Sequence, residues 1–504
     1  MYNDADWEQW AAKIECDFKP KKYDHFDHKF NFPARKKELQ KIISKPEVIK
    51  AHSFLPLLKI VIKTPRYRYI EKKRKFGLET KKRPIAYASH LDTYIYAYYA
   101  FLLNKRYQGY IRLRGFNRAV LAYRSDLDGQ CNIQFSKEVF NYVRQKGECT
   151  AIALDIKGYF DHIDHKILKE KWAKILGKNE LPEDQYAVFR SLTCYSYVNK
   201  NSFLRHFSLK LRELPKKPTL LDYMDGRSFR EKMASLRSEN LITRNEAHEL
   251  LPDGYKRYYG IPQGLAISAL LSNVYLIDYD LWWQQKAEQE GFLYRRYCDD
   301  ILIVCETKRA LELQKEAIHK ISEYHLDIQE KKVELIAFRK NSKGKIRAFN
   351  LKKIREEKPA KLSVANEQRY YKSLQYLGFE FNGQNVFIRA GSISRYHRKA
   401  SGRIIKTVCM AYSEHGKGDR IFKQQLYHRY THLGNRNFLH YSYNAAKKYY
   451  INSAGLRKDS MGSSAIRWQV RKHMDIIQYK LGSKNLQRAL HKAYKGKLKK
   501  LKRA

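Results

Sequence analysis

Tyr297-Cys298-Asp299-Asp300 lies between Phe292-Leu293-Tyr294 and Ile301-Leu302-Ile303-Val304-Cys305. The pattern predicts strand, tight turn, strand, with two carboxylates at the bend. Two adjacent acids at the tip of a buried hairpin are costly unless positive charge meets them. A pair of divalent cations supplies such charge, and its usual employment is phosphoryl or nucleotidyl transfer. The plainer alternative is an exposed Asp-Asp turn, since Asp favours turns. The surrounding chain decides between them.

A length of 504 residues predicts two or three subdomains. The formal charge of +48 and an isoelectric point near 9.8 imply a polyanionic partner, nucleic acid before membrane. No apolar run reaches the roughly 18 residues that a membrane span needs. Met1-Tyr2-Asn3-Asp4 lacks the basic flank and apolar core of a secretory signal. The seven cysteines contain no Cys-x-x-Cys, which points to reduced thiols in a cytoplasm and away from a zinc ribbon. The 39 tyrosines are core residues, base-stacking platforms or something more specific.

Taken in order, residues 1–60 predict a helical entry segment, with His25 and His28 in a solvated loop or helix start. Residues 64–72 and 81–88 predict a β-hairpin turning at Phe76-Gly77. Its Lys82 and Arg83 either grip a triphosphate or template backbone, or solubilise an exposed hairpin. A dense aromatic helix follows from His90 to Tyr107, then Gly115-Phe116-Asn117-Arg118-Ala119 as a loop opening a further helix. Cys149–Ile156 is a short apolar run that ends in an acid, Asp155, and fits a buried strand. Asp164 is positioned to cap the next helix, which makes Asp161 and Asp164 structural rather than catalytic. Residues 178–258 predict a helical insertion. Gly260-Ile261-Pro262-Gln263-Gly264 is a turn opening a helix, where Gln263 either presents its amide to an anion or base or simply starts the helix. Residues 308–325 predict an amphipathic helix and Lys331–Ile336 a strand. Tyr376–Phe381 and Val386–Ile388 form a hairpin around Asn382-Gly383. Residues 391–504 hold four acids against 27 Lys and Arg, about +23 of the total, and predict a helical domain. Four scattered acids do not build a separate carboxylate-based nuclease centre.

The order of these features resembles a reverse transcriptase palm over roughly residues 60–390. Asp155 with Phe160 is similar to the family's first palm motif, Gly260–Gly264 with Ser268 and Asn273 to its second, and Tyr297–Asp300 to its third. The Lys332 region resembles the fourth motif, Leu377-Gly378 the primer grip, and Lys81–Ile85 the fingers hairpin. Gly115–Arg118 and Asp155–His165 look like group II intron and related bacterial enzymes, although Leu265 and Ala269 stand where intron enzymes usually carry Gly and Pro. There is neither the Val-Thr-Gly of retron enzymes nor an endonuclease Cys/His cluster. Gly434-Asn435-Arg436-Asn437-Phe438, with Tyr441 and Tyr443, resembles the C-terminal region of abortive-infection and "unknown group" antiphage reverse transcriptases.

The resemblance implies an α+β right-hand polymerase: a helical N-terminal segment (1–60), fingers (61–148), a palm (149–390) with a helical insertion near 178–258, and a basic helical thumb (391–504). It implies two Mg²⁺ ions, with Mn²⁺ as a substitute, held by Asp155, Asp299 and Asp300 with the Ile156 carbonyl. Lys332 would be the general acid. Lys82, Arg83, Gln263 and Cys298 would face nucleotide or primer, and Phe160 would exclude a 2′-hydroxyl. The expected partners are a structured non-coding RNA, dNTPs and the DNA product, with no membrane; a homo-oligomer is left open. Tyr449, Tyr450, Tyr479 and Tyr494 are candidates for a protein primer, with core or stacking roles as the alternative. The competing readings are an RNA-dependent RNA polymerase, a group II intron-type maturase, and a non-catalytic RNA-binding protein on a polymerase fold.

Overall fold

The computed structural model describes residues 4–16, 18–19, 21, 23–29, 31–70, 75–208, 226–251, 254–356, 364–411, 423–471 and 478–479. One compact unit comprises Met1–Tyr123, Leu154–Ile301 and Leu313–Val333; the other comprises Arg124–Ala153, Leu302–Glu312 and Glu334–Ala504.

The first unit opens with a helix, Asp4–Cys16, whose Trp7 and Trp10 are buried. Trp10 meets Phe32 and Tyr98 edge-on at 5.4 and 5.2 Å, a favourable quadrupole geometry. Tyr98 belongs to the long helix His90–Leu113, which starts where the Ser89 side chain accepts a hydrogen bond from the Asp92 N–H. That helix buries Tyr94, Tyr96, Tyr98, Tyr99 and Tyr107, so part of the tyrosine excess is core.

Strands β1 (Leu57–Ile70) and β2 (Lys75–Tyr87) pair antiparallel over thirteen residues each. Phe76 and Gly77 lie inside β2, opposite Tyr69 and Arg68, and not at a turn. β1 begins at Leu57, so the helical entry ends earlier than expected. His25 is buried rather than solvated. Its Nε2 bonds the Tyr87 carbonyl and its Nδ1 accepts from the Phe26 N–H.

The 178–258 insertion is not purely helical. β4 (Ser196–Asn199) runs parallel to β1, and β5 (Ile242–Arg244) pairs with β4, giving the sheet order β2-β1-β4-β5. β6 (His248–Leu250) and β7 (Lys256–Tyr258) form a separate pair. These strands have three or four residues each, too short for periodicity to reveal. Nor does a helix open at Gly115–Ala119: Val120 bridges Arg296, and the next helix starts at Asn132. Asp164 caps the helix His165–Leu176, accepting from the Lys166 and Ile167 N–H groups. The apolar pattern after Gly264 covers two helices, Ser268–Tyr275 and Ile277–Glu290, broken at Leu276.

The five-stranded sheet takes its order from β3 (Cys149–Asp155), β8 (Leu293–Tyr297), β9 (Asp300–Cys305), β10 (Glu334–Lys340) and β11 (Ile346–Asn350): β11-β10-β3-β9-β8. Lys332 lies in a 3₁₀ turn, Glu330–Lys332, and the strand expected from Lys331 begins only at Glu334.

β8 carries two buried arginines in an otherwise apolar-flanked strand. Arg296 is fully buried with Asp280, donating from Nε at 2.7 Å and from Nη2 at 2.5 Å. The Tyr294 hydroxyl donates to the same carboxylate at 2.7 Å. Charges so deep persist only when paired and fully hydrogen-bonded.

In the second unit the helix Asn132–Lys146 buries one apolar face, and Phe140 stacks on Phe381 at 4.9 Å. β12 (Leu374–Tyr376), β13 (Phe379–Phe381) and β14 (Val386–Ile388) make a three-stranded sheet, so the expected hairpin has an extra reversal at Leu377-Gly378. The helix Ala390–Ala411 buries Tyr396, Ala400, Ile404 and Val408, one residue per turn. In the Gly434–Phe438 stretch, the Asn437 side chain donates to the Thr431 and Gly434 carbonyls and caps the following helix. Any Cβ at Gly434 would lie within 1.6 Å of the His428 carbonyl. The C-terminal region also holds strands, β15 (Tyr449–Ile451) and β16 (Arg457–Asp459), which a purely helical reading missed. Among the described residues no helix is long and apolar enough to cross a membrane.

Two stability experiments follow from these buried charges. Asp280→Asn strands the Arg296 guanidinium and is expected to cost about 3–5 kcal/mol, whereas Arg296→Met with Asp280→Leu removes both charges and costs less than the sum of the single changes. Denaturant unfolding of the single and double variants measures this coupling. Burial also pushes His25 down to about 3, and burial with Lys21 and Lys29 pushes His90 down to about 4. The unfolded chain then binds protons that the folded chain refuses. Stability is expected to fall as pH drops below about 6.5, the ordinary histidine value. His25→Asn flattens the part of that slope which His25 contributes, as followed by thermal unfolding against pH.

Candidate active site

The turn between β8 and β9 consists of Cys298 and Asp299. Cys298 has φ +57°, a left-handed conformation unusual for a side chain other than Gly, Asn or Asp. Arg296, fixed by Asp280, donates from Nη1 to the Cys298 carbonyl at 3.0 Å, so the buried ion pair braces the base of the turn. The Ile156 N–H donates to the Asp299 carbonyl at 3.0 Å. That bond joins the turn that carries Asp299 to the end of β3, where Asp155 is the last residue.

A third segment closes on Asp155. The Gln329 N–H donates to the Asp155 carbonyl at 2.8 Å, and the Lys157 N–H donates to the Asp327 carbonyl at 2.8 Å. The 3₁₀ turn that follows delivers Lys332, whose Nζ meets Asp155 Oδ2 at 2.6 Å. Asp155 and Asp299 are half-buried, and Asp300, the first residue of β9, is exposed. Among the described residues no three His, Cys, Asp or Glu side chains are grouped as a metal cage. What the acids show is an ammonium seated on the Asp155 carboxylate. Hard oxygen donors of this kind fit Mg²⁺ or Mn²⁺, and the Lys332 ammonium shows that the position accepts a cation.

Cys298 is buried, and burial followed by the Asp299 charge pushes its thiol up to about 11. It stays neutral, with neither the nucleophilicity nor the metal affinity of a thiolate. Tyr123 and Ser272 are its neighbours. Tyr123, Arg296 and Asp280 escaped sequence reasoning. Two arginines in the strand-like run Leu293–Tyr297 were the available signal for the last two; nothing marked Tyr123.

Phe160 lies in the short helix Tyr159–His162 and is half-buried. The Ile261 N–H donates to its carbonyl at 2.9 Å, which sets the Gly260–Gly264 turn beside it. Ser268 Oγ donates to the Pro262 carbonyl at 2.7 Å and holds the turn closed. The Ala86 N–H donates to the Gln263 carbonyl at 2.8 Å. At Gly264 a Cβ would lie 2.4 Å from the Ala86 carbonyl oxygen, and φ is +115°; only glycine permits this approach. The turn is thereby sewn to β2 directly after Lys82 and Arg83, both exposed.

Other expected residues lie in the second unit. Leu377 and Gly378 form the reversal between β12 and β13, both at positive φ. Tyr449 is 48% exposed beneath Arg457, and Tyr479 is 78% exposed. The Tyr450 hydroxyl is engaged by Gln134 and Cys131. Tyr494 lies outside the described residues.

Residues 227–381 match the model of the family described as reverse transcriptase (RNA-dependent DNA polymerase). No curated protein sequence matches the chain. Among solved structures, the chain is similar to telomerase from Candida albicans in complex with a TWJ fragment of telomeric RNA, at 14% identity and TM-score 0.32, covering 74% of this chain and 53% of that one. It is similar to apo telomerase from Candida tropicalis at 12% identity and TM-score 0.34, covering 76% and 58% respectively. The chain thus spans little more than half the length of these two structures. The matched segment contains both the Gly260–Gly264 turn and the Tyr297–Asp300 hairpin. On that match residues 227–381 are similar to a reverse transcriptase domain, in a chain of mixed α+β fold.

Proposed function

We propose that the protein copies a structured non-coding RNA into DNA by two-metal nucleotidyl transfer, in the service of bacterial antiphage defence. The observation that supports the polymerase chemistry is the Ile156 N–H bond to the Asp299 carbonyl, which joins the Asp299 turn to the end of the strand that carries Asp155. The charge of +48 supports a nucleic-acid substrate. The defence role rests on the likeness of the Gly434–Phe438 stretch to abortive-infection enzymes, and the length of chain shared with any one relative does not extend it further.

In this reading Asp155 and Asp299 hold the ions, the Ile156 carbonyl assists, and Asp300 completes or orients the set. When bound, the metal pair makes the primer 3′-hydroxyl acidic and neutralises the leaving pyrophosphate. The residues of the chain do the rest. Lys332, whose ammonium lies 2.6 Å from Asp155, would protonate the leaving pyrophosphate as a general acid. Lys82 and Arg83 neutralise triphosphate charge. Gln263, at the junction with β2, faces the nucleotide, and Leu377-Gly378 grips the primer. The Phe160 ring lies under the sugar and rejects a 2′-hydroxyl. The basic C-terminal region binds RNA backbone and stacks unpaired bases. Tyr449 and Tyr479 are the exposed candidates for a protein primer; the Tyr450 hydroxyl is already engaged.

Three measurements test this reading. Asp299→Asn is expected to lower dNTP incorporation by roughly 10²–10³-fold, the scale for loss of one transition-state stabiliser, with RNA retention unchanged in a pull-down. Loss of both would indicate a folding defect. Phe160→Ala is expected to admit rNTPs, and unchanged sugar selection in a competition assay removes the gate assignment. Sequencing the RNA and DNA that co-purify, with and without protease, identifies the template and reveals any DNA linked to tyrosine. Absence of DNA product under all metal conditions would favour a non-catalytic RNA-binding protein.

A further inference from the structure

The 178–258 insertion completes a cavity of about 770 Å³ that lies wholly within the first unit. Small-ligand sites have volumes of roughly 300–1,000 Å³. None of Asp155, Asp299, Asp300 and Lys332 lines this one. Its lining includes Leu57 of β1, Ser196 of β4 and Arg244 of β5. β4 runs parallel to β1, and Ser196 pairs with Arg244, so the two inserted strands extend the cavity from the edge of the β1–β2 hairpin.

Three arginines from separate elements converge on it. Arg190 stands in the last turn of the helix Glu183–Thr193, Arg237 in the last turn of the helix Gly226–Ser238, and Arg244 ends β5. All three are exposed, and among the described residues no carboxylate pairs with any of them. Lys50, also in the lining, differs: Glu183 neutralises it at 2.6 Å. The dipole favours a cation at a helix C-terminus, which accounts for Arg190 and Arg237 singly. It accounts neither for Arg244 on a strand nor for three guanidinium groups lining one hollow. Like charges on a concave surface repel each other and focus a positive potential into it. Guanidinium is the side chain best suited to phosphate, through paired hydrogen bonds.

Aromatic rings line the same cavity. Phe54 stacks on Tyr96 at 5.4 Å, and His52 meets it edge-on at 4.7 Å. Both neighbours are fixed in turn, His52 by Asp92 at 2.7 Å and Tyr96 by donating its hydroxyl to Ser191 Oγ at 3.0 Å. Tyr186 is 43% exposed and stacks on Phe189 at 6.1 Å. Firmly held rings beside guanidinium groups are the combination that takes a base and its phosphate together. An inorganic anion would need only the cations, and an apolar ligand only the rings.

We propose that this cavity is a second nucleotide site, separate from the carboxylate centre, whose ligand is a nucleoside phosphate. The base lies against Phe54 or Tyr186, and Arg190, Arg237 and Arg244 hold the phosphate. Free nucleotide and one unit of a bound RNA strand present this same chemistry, and the experiment separates the two sources. The proposal goes beyond the polymerase reading of Asp155 and Asp299 and does not depend on it.

The test uses full-length protein in EDTA, which removes any metal-dependent hold on a triphosphate at the carboxylates and leaves the arginines unaffected. Azido-ATP and, separately, a thiouridine-labelled RNA oligonucleotide are photocrosslinked to the protein, and adducts are located by peptide mass spectrometry. Adducts on the peptide carrying Phe54 or the peptide carrying Tyr186 are expected. Labelling by azido-ATP that unlabelled ATP competes away identifies free nucleotide as the source; labelling by the RNA alone identifies a strand. Arg237→Gln with Arg244→Gln is expected to cut these adducts by roughly tenfold or more, the scale of one lost charge-assisted hydrogen bond. Its melting temperature is expected to hold or rise, because repulsion between like charges is relieved. Arg190→Gln, on a different helix, is expected to reduce the adducts by a smaller factor and decides the matter if the double variant melts early. Absence of adducts at both peptides with both probes overturns the proposal. So do adducts that persist undiminished in the folded double variant, or in Arg190→Gln should the double variant not fold. If the wild-type protein incorporates no dNTP, the polymerase reading fails, while the adducts still decide this site.

Discussion

The Asp280–Arg296 ion pair is the interaction on which the candidate site depends. Both side chains are fully buried, where an unpaired charge would be prohibitively costly. Asp280 comes from the helix Ile277–Glu290 and Arg296 from β8, so satisfying both charges fixes that helix against that strand. The guanidinium then has one further donor to spend, and it spends it on the Cys298 carbonyl. The backbone of the same arginine anchors the Ala119–Leu121 segment. One residue thereby sets the turn that presents Asp299 and the segment that runs along the strand edge. Buried pairs of this kind confer little net stability compared with a well-packed apolar core; what this one supplies is a defined geometry.

Around that brace the site is assembled mostly from backbone hydrogen bonds. Ile156 to Asp299, Gln329 to Asp155, Ile261 to Phe160 and Ala86 to Gln263 each join segments that are far apart in sequence. Backbone bonds of this type are indifferent to side-chain identity. This explains why the positions that matter to them are glycines and turns, such as Gly264 against Ala86, and not longer motifs. The side chains so placed are then few: two acids, a lysine seated on one of them, an aromatic ring and a neutral thiol. Lys332 on Asp155 neutralises the acid at the end of β3 with an ammonium delivered from a separate segment.

How much of this was legible in the sequence differs from element to element. β3, the β8–β9 turn, the cap at Asp164 and the Asn382-Gly383 reversal were readable, because each is encoded by contiguous residues whose hydropathy and turn chemistry are local. β4 and β5 were not, since strands of three or four residues carry no period and are defined only by their pairing with β1. Phe76-Gly77 looked like a turn and is strand, because cross-strand pairing overrides a local glycine signal. His25 looked solvated and is core, because its two nitrogens are satisfied by the Tyr87 carbonyl and the Phe26 amide. Nothing adjacent to the Ala119–Leu121 segment announces its pairing with Arg296, far along the chain.

The sequence by itself determined which acids sit at strand ends, which cations and rings accompany them, and the strongly positive charge of the chain. These follow from residue type and order, which are local properties of the chain. Only the tertiary structure decided which of those residues meet. The Lys332–Asp155 contact, the Arg296–Asp280 brace and the Asn273–Ala122 bond each join residues whose separation in sequence carries no information about distance in space. Their proximity is a consequence of sheet order and of the requirement that every buried charge and backbone dipole find a partner.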